Sequence, residues 1–339
     1  MSRGLVEAWY RPGSRLYGLA PLAWLYGFVA RVRRWLYRSG ILRVYRAAAP
    51  VIVIGNITAG GAGKTPLTGA IVNQLRRLGR RPVVISRGYG GHAGHYPLLV
   101  GPDSMPDVTG DEPLMLCRQT GAPVVVDPRR GRGAAWALAQ GLGDTVVCDD
   151  GLQHLALARD LELVVIDGAR GLGNGRLLPQ GPLRESAGRL GTVDAVIING
   201  VEAQAALWRT RTSAPVFVMG LVPDALTPLH EQSGPAPLPG DTVHAVAGIG
   251  NPDRFFRTLE SLGFKVIPHP FPDHHDFRRE ELVLTGAPLV MTAKDAVKCS
   301  RFTDLDAWVL PVTAELGPDF ENFLRERLAP LLESRDHAG

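Results

Sequence analysis

A glycine-rich turn that joins an apolar run to a helical pattern constrains the fold of this chain most strongly. Residues 51–55 read Val-Ile-Val-Ile-Gly, and residues 58–65 read Thr-Ala-Gly-Gly-Ala-Gly-Lys-Thr. Glycines in such a turn adopt positive φ and let backbone N–H groups approach an anion, and the N-terminus of the next helix faces the same point. The pattern therefore predicts a P-loop that binds the phosphates of a nucleotide.

The individual positions of this loop predict how ATP and Mg2+ are held. The residues expected to bind the nucleotide are Thr58, Ala59, Gly60, Gly61, Ala62, Gly63, Lys64 and Thr65. Lys64 would reach the β- and γ-phosphates, and the Thr65 hydroxyl would bind Mg2+. Thr58 stands where the common G-x-x-x-x-G-K-[ST] pattern has its first glycine, so the loop fits the variant x-G-G-x-G-K-T better. A glycine-rich turn with a chance lysine is the alternative.

The segments around the loop form the βαβ unit that a P-loop requires. Apolar residues recur in helical spacing over residues 66–78, and residues 82–85 indicate the next strand. Further strand-like apolar runs lie at 124–126, 145–148, 163–166 and 195–198. Such strands, separated by helical or irregular stretches, predict an α/β fold of the P-loop NTPase type, with a largely parallel sheet covered by helices on both faces. Ligands of such sheets gather at the carboxyl ends of the strands.

The length of 339 residues suits roughly two domains. We expect a membrane-associated helical segment over 1–46, a nucleotide-binding α/β domain over 47–221, a proline-rich linker or crossing over 222–240, and a second, smaller α/β lobe over 241–339. The second lobe is predicted to contain strands at 243–247, 264–267, 289–291 and 308–310 and helices near 252–262, 279–284 and 319–333. A cleft between two lobes can exclude water from phosphoryl transfer.

The cysteines indicate the redox compartment. Cys117, Cys148 and Cys299 form no disulfide framework, and Cys148 lies in an apolar strand. Buried thiols in a reducing compartment are therefore expected. The use of ATP indicates the same compartment.

The first 46 residues differ from the rest of the chain in charge and in aromatic content. They carry nine arginines against a single acid, Glu7, whereas the net charge of the whole chain is +4. They also hold three of the six tryptophans and five of the seven tyrosines. Between Arg15 and Arg31 lie fifteen uncharged, mostly apolar residues. Aromatic residues flanked by cations favour the interface of a membrane.

Fifteen residues, with Pro21 among them, are fewer than the ~20 that cross a bilayer. We therefore expect a helix that lies in, or is partly inserted into, the cytoplasmic leaflet. Two alternatives are a secretory signal that ends near residues 47–49 and an amphipathic helix packed on the protein's own core. Nucleic-acid binding is not expected, because no motif for reading nucleic acid accompanies the arginines. No obligatory protein partner is evident.

Two carboxylates directly follow the apolar run at residues 145–148. Asp149 and Asp150 lie where P-loop enzymes place an acid that binds or orients Mg2+. Gln153 and His154 would then line the mouth of the same cleft. Adjacent acids at the end of a strand can instead cap a turn.

A second acidic pair, Asp111 and Glu112, precedes another apolar helix. On its own, this pair is typical of a helix N-terminus with an acidic first turn. Phosphoryl transfer, however, needs one carboxylate to accept the proton of the attacking hydroxyl and others to hold the metal. These two acids are candidates for those roles.

Residues 271–277 read Phe-Pro-Asp-His-His-Asp-Phe and cluster two histidines with two acids. A metal site is one interpretation, but adjacent histidines point in different directions and no second ligand cluster accompanies them. We expect instead a polar cluster at a domain edge, in which one histidine orients a catalytic carboxylate. Lys294 and Lys298 either offer cations to the same cleft or are solvated.

Taken together, these motifs resemble the tetraacyldisaccharide 4'-kinase family of lipid A synthesis over nearly the whole chain. The segments that carry the resemblance are 55–66, 86–90, 110–113, 149–154, 173–179, 181–185, 247–252, 272–274 and 292–298. An ordered set of this kind is far more specific than any single motif. The resemblance implies transfer of the ATP γ-phosphate to the 4'-hydroxyl of a tetraacylated glucosamine disaccharide 1-phosphate, giving lipid IVA. It also implies association with the cytoplasmic face of the inner membrane.

The resemblance further implies roles for individual residues. Asp111 matches the proposed catalytic base and His274 the histidine paired with it, and both would act together with Lys64. The residues implied near Mg2+ are Thr65, Glu112, Asp149 and Asp150, and those implied near the lipid head group are Gln153, His154 and Arg184. Ala62 departs from the family, which usually has threonine there, so a side-chain contact is in doubt while the backbone cradle is kept.

A membrane-associated P-loop ATPase switch without a lipid acceptor is the competing interpretation. The x-G-G-x-G-K-T loop also occurs in dimeric ATPases that position partners on membranes, but their signature lysine is replaced here by Ala59. A soluble small-metabolite kinase or ligase of the same fold is a third interpretation. The basic, aromatic first 46 residues disfavour it.

Overall fold

The computed structural model describes residues 3–11, 13 and 16–336, and their strands form two sheets. The first eight strands lie in one sheet: β1 Val51–Gly55, β2 Pro82–Ser86, β3 Leu98–Val100, β4 Val124–Val126, β5 Thr145–Cys148, β6 Leu161–Asp167, β7 Ala195–Asn199 and β8 Val216–Pro223. The next five form a second sheet: β9 Thr227–Pro228, β10 Thr242–Ala247, β11 Lys265–Pro270, β12 Leu289–Thr292 and β13 Ala307–Leu310. The last strand, β14 Val312–Leu316, returns to the first sheet.

The helices connect these strands. They are α1 Arg3–Tyr10, α2 Ala20–Arg38, α3 Lys64–Arg77, α4 Pro106–Thr109, α5 Asp111–Thr120, α6 Arg130–Ala139, α7 Glu202–Arg209, α8 Pro252–Ser261, α9 Ala293–Cys299 and α10 Pro318–Asp336. Short 3-10 turns lie at Tyr17–Leu19, Ala187–Thr192 and Arg279–Glu281. Among the residues that the structure describes, no helix combines the length and the apolar character needed to cross a bilayer.

The larger sheet has the strand order β14-β8-β7-β6-β1-β5-β2-β4-β3. All its neighbouring strands are parallel except at the two edges, where β14 pairs with β8 and β3 with β4 in antiparallel fashion. Strand β1 lies near the centre, between β5 and β6. The predicted α/β fold with a largely parallel sheet is thus confirmed, and the central strand is the one that leads into the glycine-rich loop.

Helices cover both faces of this sheet, as the apolar strands require. Every residue of β1 is buried. On one face, Ile54 shares a core with side chains of α3, α5 and α10, and on the other, Val53 shares a core with α6. A parallel strand buried on both faces has no room for the alternating polar residues of a half-exposed strand.

The structure differs from the sequence prediction in several elements. The helix expected near 279–284 is wrong, because the Glu281 carboxylate accepts a hydrogen bond from the Arg278 N–H and closes only a single 3-10 turn. The strands β3, β8, β9 and β14 were not predicted. Strand β14 lies inside the segment expected as the second lobe, and β9 lies inside the expected linker. A strand of the expected linker thus joins the second sheet, and a strand of the expected second lobe joins the first sheet.

Helix α2 turns its apolar side chains away from the protein. Its buried residues are Ala23 and Gly27, and a Cβ on Gly27 would lie 2.6 Å from Cδ1 of Leu177, so the helix packs closely on that side. The outward side exposes large apolar residues, namely Leu22, Trp24, Leu25, Phe28, Val29, Val32 and Trp35. Trp9, grouped above with the interfacial aromatics, is instead a core residue with 1% of its surface exposed.

Polar contacts fix α2 beside two loop segments of the larger sheet. The Tyr26 hydroxyl donates a hydrogen bond to the carbonyl of Arg184 at 3.0 Å. The Arg33 guanidinium donates to the carbonyl of Gln153 at 3.0 Å, and Arg34 forms an ion pair with Glu185. The amphipathic helix therefore lies against the segments that carry the candidate head-group residues.

Candidate active site

The glycine-rich loop connects the end of β1 to the first residue of α3, which is Lys64. Gly60 and Gly63 have positive φ, 103° and 97°. A Cβ on Gly63 would lie 2.4 Å from Nδ2 of Asn199, so only glycine fits there. The N-terminus of α3 is thus brought to the loop, where its N–H groups can receive an anion.

Two buried asparagines hold the loop in this shape. Asn199, at the end of β7, donates a hydrogen bond from Nδ2 to the carbonyl of Ala62 at 3.0 Å. Asn56 donates from Nδ2 to the carbonyl of Gly60 at 3.2 Å. Sequence reasoning missed both residues, although each stands at the carboxyl end of a predicted strand. With these carbonyls held back, the loop's N–H groups are free to face a ligand.

The first two residues of the predicted cradle are engaged within the protein. Thr58 forms an antiparallel bridge with Leu183, and the Ala59 N–H donates to the carbonyl of Pro182 at 2.7 Å. The Ala59 N–H is therefore not available to a phosphate.

Asp150 is surrounded by positive charge. Its carboxylate lies 3.7 Å from Nζ of Lys64 and 3.2 Å from Nη1 of Arg184. Burial opposes ionisation, but these two cations and Arg130 outweigh it and hold the pKa of Asp150 below its ordinary value. Asp150 is thus ionised at neutral pH, and it orients Lys64 at the start of α3.

Asp149 has a contrasting environment. It is 2% exposed and accepts a hydrogen bond from the Thr68 hydroxyl at 2.8 Å. Burial raises the pKa of Asp149, and the neighbouring carboxylates of Glu112 and Asp150 raise it further, to about 7. Lys64 and Arg184 pair with Asp150 and Lys294 pairs with Glu112, so among the described residues the carboxylate of Asp149 has no cation of its own to balance it.

This imbalance fits the Mg2+ that a P-loop enzyme uses. Oxygen ligands from a few carboxylates, completed by phosphates and water, are what Mg2+ prefers. Thr65 is buried in the first turn of α3, three residues before Thr68, so both threonines lie on the same helix face as the acids. Within the described residues, no three His, Cys, Asp or Glu side chains form a self-contained metal site.

Asp111, the first residue of α5, meets His274 from the loop after β11. His274 Nδ1 lies 3.2 Å from Asp111 Oδ2, and Lys298 Nζ lies 3.2 Å from the same oxygen. Burial alone would raise the pKa of Asp111, but the hydrogen bond with His274 and the charges of Lys298 and Lys294 outweigh it and lower the pKa. The two residues paired by sequence reasoning are therefore in contact, although 163 positions separate them.

Lys294 links Glu112 to the histidine segment. Its Nζ lies 3.2 Å from Glu112 Oε1, 3.0 Å from Asp273 Oδ1 and 3.2 Å from His274 Nε2. Burial favours the neutral amine, but the two carboxylates outweigh it and raise the pKa of Lys294. The lysines of α9 thus face the acids of α5 rather than bulk solvent.

The second sheet lies directly against the glycine-rich loop. A Cβ on Gly250, in the loop between β10 and α8, would lie 2.8 Å from the backbone nitrogen of Gly61. Close backbone approach of this kind requires glycine. Side chains of the second sheet are therefore within reach of ligands at the loop.

Gln153 and His154 lie beside this group. Gln153 Nε2 donates hydrogen bonds to the carbonyl of Asn56 at 3.0 Å and to the Glu185 carboxylate at 2.9 Å. Burial lowers the pKa of His154, and the charges of four arginines, Arg130 first among them, lower it further, to about 4. His154 is therefore a neutral hydrogen-bonding group at physiological pH, not a cation.

The structure thus brings the predicted residues into two adjoining groups. Lys64, Asp149, Asp150 and Arg184 lie at the carboxyl end of the larger sheet, and Asp111 and Glu112 join them to His274 of the second sheet. A glycine-rich loop on a buried parallel sheet, with carboxylates at the same edge, defines a P-loop enzyme that uses a nucleoside triphosphate. A carboxylate–histidine pair beside that edge is suited to a kinase, since it can accept the proton of an attacking hydroxyl.

Comparison with known proteins places the chain more narrowly. The family described as tetraacyldisaccharide-1-P 4'-kinase matches residues 16–329. A tetraacyldisaccharide 4'-kinase of Alkalilimnicola ehrlichii is 52% identical over 95% of this chain and 96% of its own length. One from Pseudomonas aeruginosa is 47% identical over 98% of both chains. The crystal structure of LpxK from Aquifex aeolicus in complex with ATP superposes with a TM-score of 0.75 at 27% identity, covering 92% of this chain and 99% of that one.

The chain therefore belongs to the tetraacyldisaccharide-1-phosphate 4'-kinase family. The resemblance stated from the sequence is confirmed. The chain is an ATP-dependent kinase.

Proposed function

We propose that this chain transfers the γ-phosphate of ATP to the 4'-hydroxyl of a tetraacyldisaccharide 1-phosphate and forms lipid IVA. The observation that supports this most directly is the contact of 3.2 Å between Asp111 and His274, beside the glycine-rich loop, in a chain of this family. A base held next to the phosphate cradle serves an acceptor hydroxyl. Hydrolysis by a switch does not require that arrangement.

In this proposal the larger sheet forms the half of the active site that binds ATP, the phosphoryl donor. The loop from Gly60 to Thr65 binds the phosphates of ATP, and Lys64 neutralises charge that develops on the transferred phosphoryl group. Thr65, Glu112, Asp149 and Asp150 are the side chains that would hold Mg2+, which supplies further charge neutralisation when bound. Among these acids, Asp149 has the negative charge that is least compensated within the protein, since Asp150 already pairs with Lys64 and Arg184.

The half of the active site that receives the lipid hydroxyl, the phosphoryl acceptor, combines Asp111 with residues of the second sheet. Asp111 takes the proton from the 4'-hydroxyl as that oxygen attacks, and His274 orients the carboxylate. The lowered pKa of Asp111 keeps it ionised, and so able to accept a proton, throughout the neutral range. We propose that residues 47–221 and 241–339, joined through 222–240, supply the two lobes of this cleft, with β14 and α10 of the second segment packed on the larger sheet.

Gln153, His154 and Arg184 are proposed to meet the head group of the lipid. Support comes from their neighbours, because α2 contacts the backbone of Gln153 through Arg33 and that of Arg184 through Tyr26. A lipid whose acyl chains stay in the bilayer would present its sugar next to such a helix. The neutral His154 would then donate or accept a hydrogen bond rather than pair with a phosphate.

We propose that residues 1–46, through α2, rest on the cytoplasmic leaflet of the inner membrane. The outward apolar side of α2 supports this, because side chains such as Trp24 and Phe28 are 77% and 56% exposed to water in the protein alone. Arg31 and Arg38 are also exposed on this helix and suit anionic head groups. The packed-helix alternative accounts only for the side formed by Ala23 and Gly27.

The experiment that separates the kinase from the ATPase switch is acceptor-dependent ADP release. With purified protein and Mg2+–ATP, adding tetraacyldisaccharide 1-phosphate in mixed micelles is expected to raise ADP release at least about tenfold above the rate without acceptor. The Lys64→Ala variant is the control and should release almost no ADP, either with or without the lipid acceptor. A high rate that is indifferent to the lipid would support the switch and overturn the proposed function.

A further inference from the structure

Lys294 has a complete and unusually specific set of partners. An ammonium group has three N–H donors and no acceptor. Nζ of Lys294 lies within 3.2 Å of three acceptors, which are Oε1 of Glu112, Oδ1 of Asp273 and Nε2 of His274. Each N–H therefore has one acceptor, and the lysine is held in a single position between α5 and the histidine loop.

This geometry determines which nitrogen of His274 carries the proton. Because the ammonium can only donate, Nε2 of His274 must offer its lone pair, so the neutral ring has its hydrogen on Nδ1. Nδ1 lies 3.2 Å from Oδ2 of Asp111. His274 thus donates to Asp111 and has no vacant nitrogen with which to take a proton from it.

The carboxylate of Asp111 is bonded asymmetrically as a result. Oδ2 faces both His274 Nδ1 and Lys298 Nζ, each at 3.2 Å. Among the residues that the structure describes, none donates a hydrogen bond to Oδ1. Oδ1 is therefore the oxygen that remains for the hydroxyl of an acceptor.

The histidine ring is also held by its surroundings. His274 has a positive φ of 61°, a conformation that non-glycine residues adopt only where their environment enforces it. The Tyr89 ring lies against it, with ring centroids 4.9 Å apart. The charged and titratable groups around the ring are Asp111 and Glu112 from α5, Asp273 from its own loop, Lys294 and Lys298 from α9, and Tyr89.

We propose that Lys294 is a positioning residue that keeps Nε2 of His274 unprotonated, so that His274 stays neutral with its hydrogen on Nδ1. In that tautomer, His274 orients Asp111 as a hydrogen-bond donor and leaves the acceptor proton on Asp111, so the pair does not relay the proton to the histidine. The inference rests on the proposed function only in its use of Asp111 as the base. The assignment of the tautomer itself depends on the protein alone.

The test is the 15N NMR spectrum of protein labelled with [15N]histidine, recorded for the wild type and for Lys294→Met. His274→Gln identifies the His274 signals among those of the nine histidines. We expect the wild type to show Nδ1 protonated and Nε2 unprotonated, and Lys294→Met to show both nitrogens protonated, because Asp111 still accepts from Nδ1 while Nε2 is freed to bind a proton. Lys265→Met is the matched control, because Lys265 is exposed on β11, and it should leave the spectrum unchanged.

Kinetics supply the second readout. A charged imidazolium at His274 stabilises the ionised form of Asp111 and makes it a weaker base, so kcat of Lys294→Met should fall roughly 10- to 1,000-fold while KM for ATP stays within about twofold. Lys294→Gln keeps an N–H donor for Nε2, and it should retain the wild-type tautomer and part of the activity. It also keeps the test valid if the methionine variant does not fold.

Two results would overturn the proposal. One is an unchanged His274 spectrum in Lys294→Met, and the other is a loss of activity carried by KM for ATP, which would make Lys294 a nucleotide-binding residue. Failure of the proposed function is distinguishable from both. If the wild-type protein phosphorylates no lipid, but the His274 spectrum changes as described in Lys294→Met, the inference stays in place and the proposed function is removed.

Discussion

Asp149 and Asp150 are adjacent in sequence, yet the structure gives them opposite protonation behaviour. Asp150 has two cations within 4 Å, and its pKa is lowered. Asp149 has the Thr68 hydroxyl as its hydrogen-bond donor, and its burial beside Glu112 raises its pKa to about 7. The difference comes from which side of the strand end each carboxylate faces, because Asp150 has a positive φ of 46° that turns it toward Lys64.

The raised pKa of Asp149 predicts that the free protein loses stability as pH rises. Below about pH 4 the carboxyl is protonated in both the folded and the unfolded state, whereas between about pH 4 and 7 only the unfolded state ionises, and stability falls. Asp149→Asn should therefore raise Tm by several degrees at pH 8 without nucleotide and should flatten the pH dependence. Differential scanning calorimetry from pH 5 to 8 measures this.

The same variant should lose activity by at least about 100-fold, since it removes an acid proposed to hold Mg2+. Asp103→Asn, at an exposed carboxylate, is the control and should change neither property. An Asp149→Asn protein that is less stable than the wild type at pH 8 would contradict the account of this residue.

The base is tested by Asp111→Asn. An amide cannot accept the hydroxyl proton, so kcat should fall by roughly 10²–10⁴-fold, while KM for ATP changes little because Asp111 is not one of the residues proposed to bind the phosphates of ATP. Steady-state kinetics with the lipid acceptor measure both constants. Wild-type turnover in this variant would remove Asp111 from the role.

At the scale of elements, the glycine-rich loop depends on a strand that is distant in sequence. Asn199 of β7 holds the carbonyl of Ala62, 137 positions earlier. Asn199→Ala should loosen the loop and raise the Kd for ATP by roughly 10-fold, because one buried hydrogen bond is worth about 1–1.5 kcal/mol. Isothermal titration with an ATP analogue measures this, and affinity equal to that of the wild type would show that the loop keeps its shape without Asn199.

Helix α2 carries the prediction about the membrane. Replacing Trp24, Leu25 and Phe28 by serine removes exposed apolar surface without touching the side of the helix packed on Leu177. Each such side chain contributes about 1.5–3 kcal/mol when fully buried in an apolar phase. Partition to anionic vesicles should therefore fall at least about tenfold, and KM for the lipid should rise while KM for ATP does not.

The matched control replaces Val201, Leu238 and Val283 by serine. These apolar side chains have similar exposure, 60%, 67% and 51%, but lie outside α2. Their substitution should leave vesicle binding unchanged. If both triple variants bind vesicles as the wild type does, α2 is not the membrane-binding element.

Sequence patterns predicted the elements whose burial is uniform. Strands β1, β5 and β7 are buried on both faces and appear as unbroken apolar runs. Strands β8 and β14 were missed although their sequences carry strand patterns, since residues 216–222 form an apolar run around Gly220 and residues 312–316 alternate apolar with polar residues. The apolar character of α2 was evident, but only the structure shows that its apolar side faces outward.

At the scale of the whole molecule, the candidate site is assembled from distant parts of the chain. Motif spacing indicated the P-loop and its acids, because those residues follow strands of one sheet. The contact of Asp111 with His274 was inferred only through the family resemblance, since 163 positions and a second sheet separate them. Asn56, Thr68 and Asn199 were missed because a single polar residue at a strand or helix end has no distinctive pattern.

The central claim, that the P-loop and the Asp111–His274 pair together serve one acceptor hydroxyl, is tested most directly by transfer of label from γ-labelled ATP. The acceptors are tetraacyldisaccharide 1-phosphate and its analogue lacking the 4'-hydroxyl. We predict labelled lipid with the first acceptor and none with the second. Label on the 4'-deoxy analogue, or label released only as inorganic phosphate with both, would contradict the account.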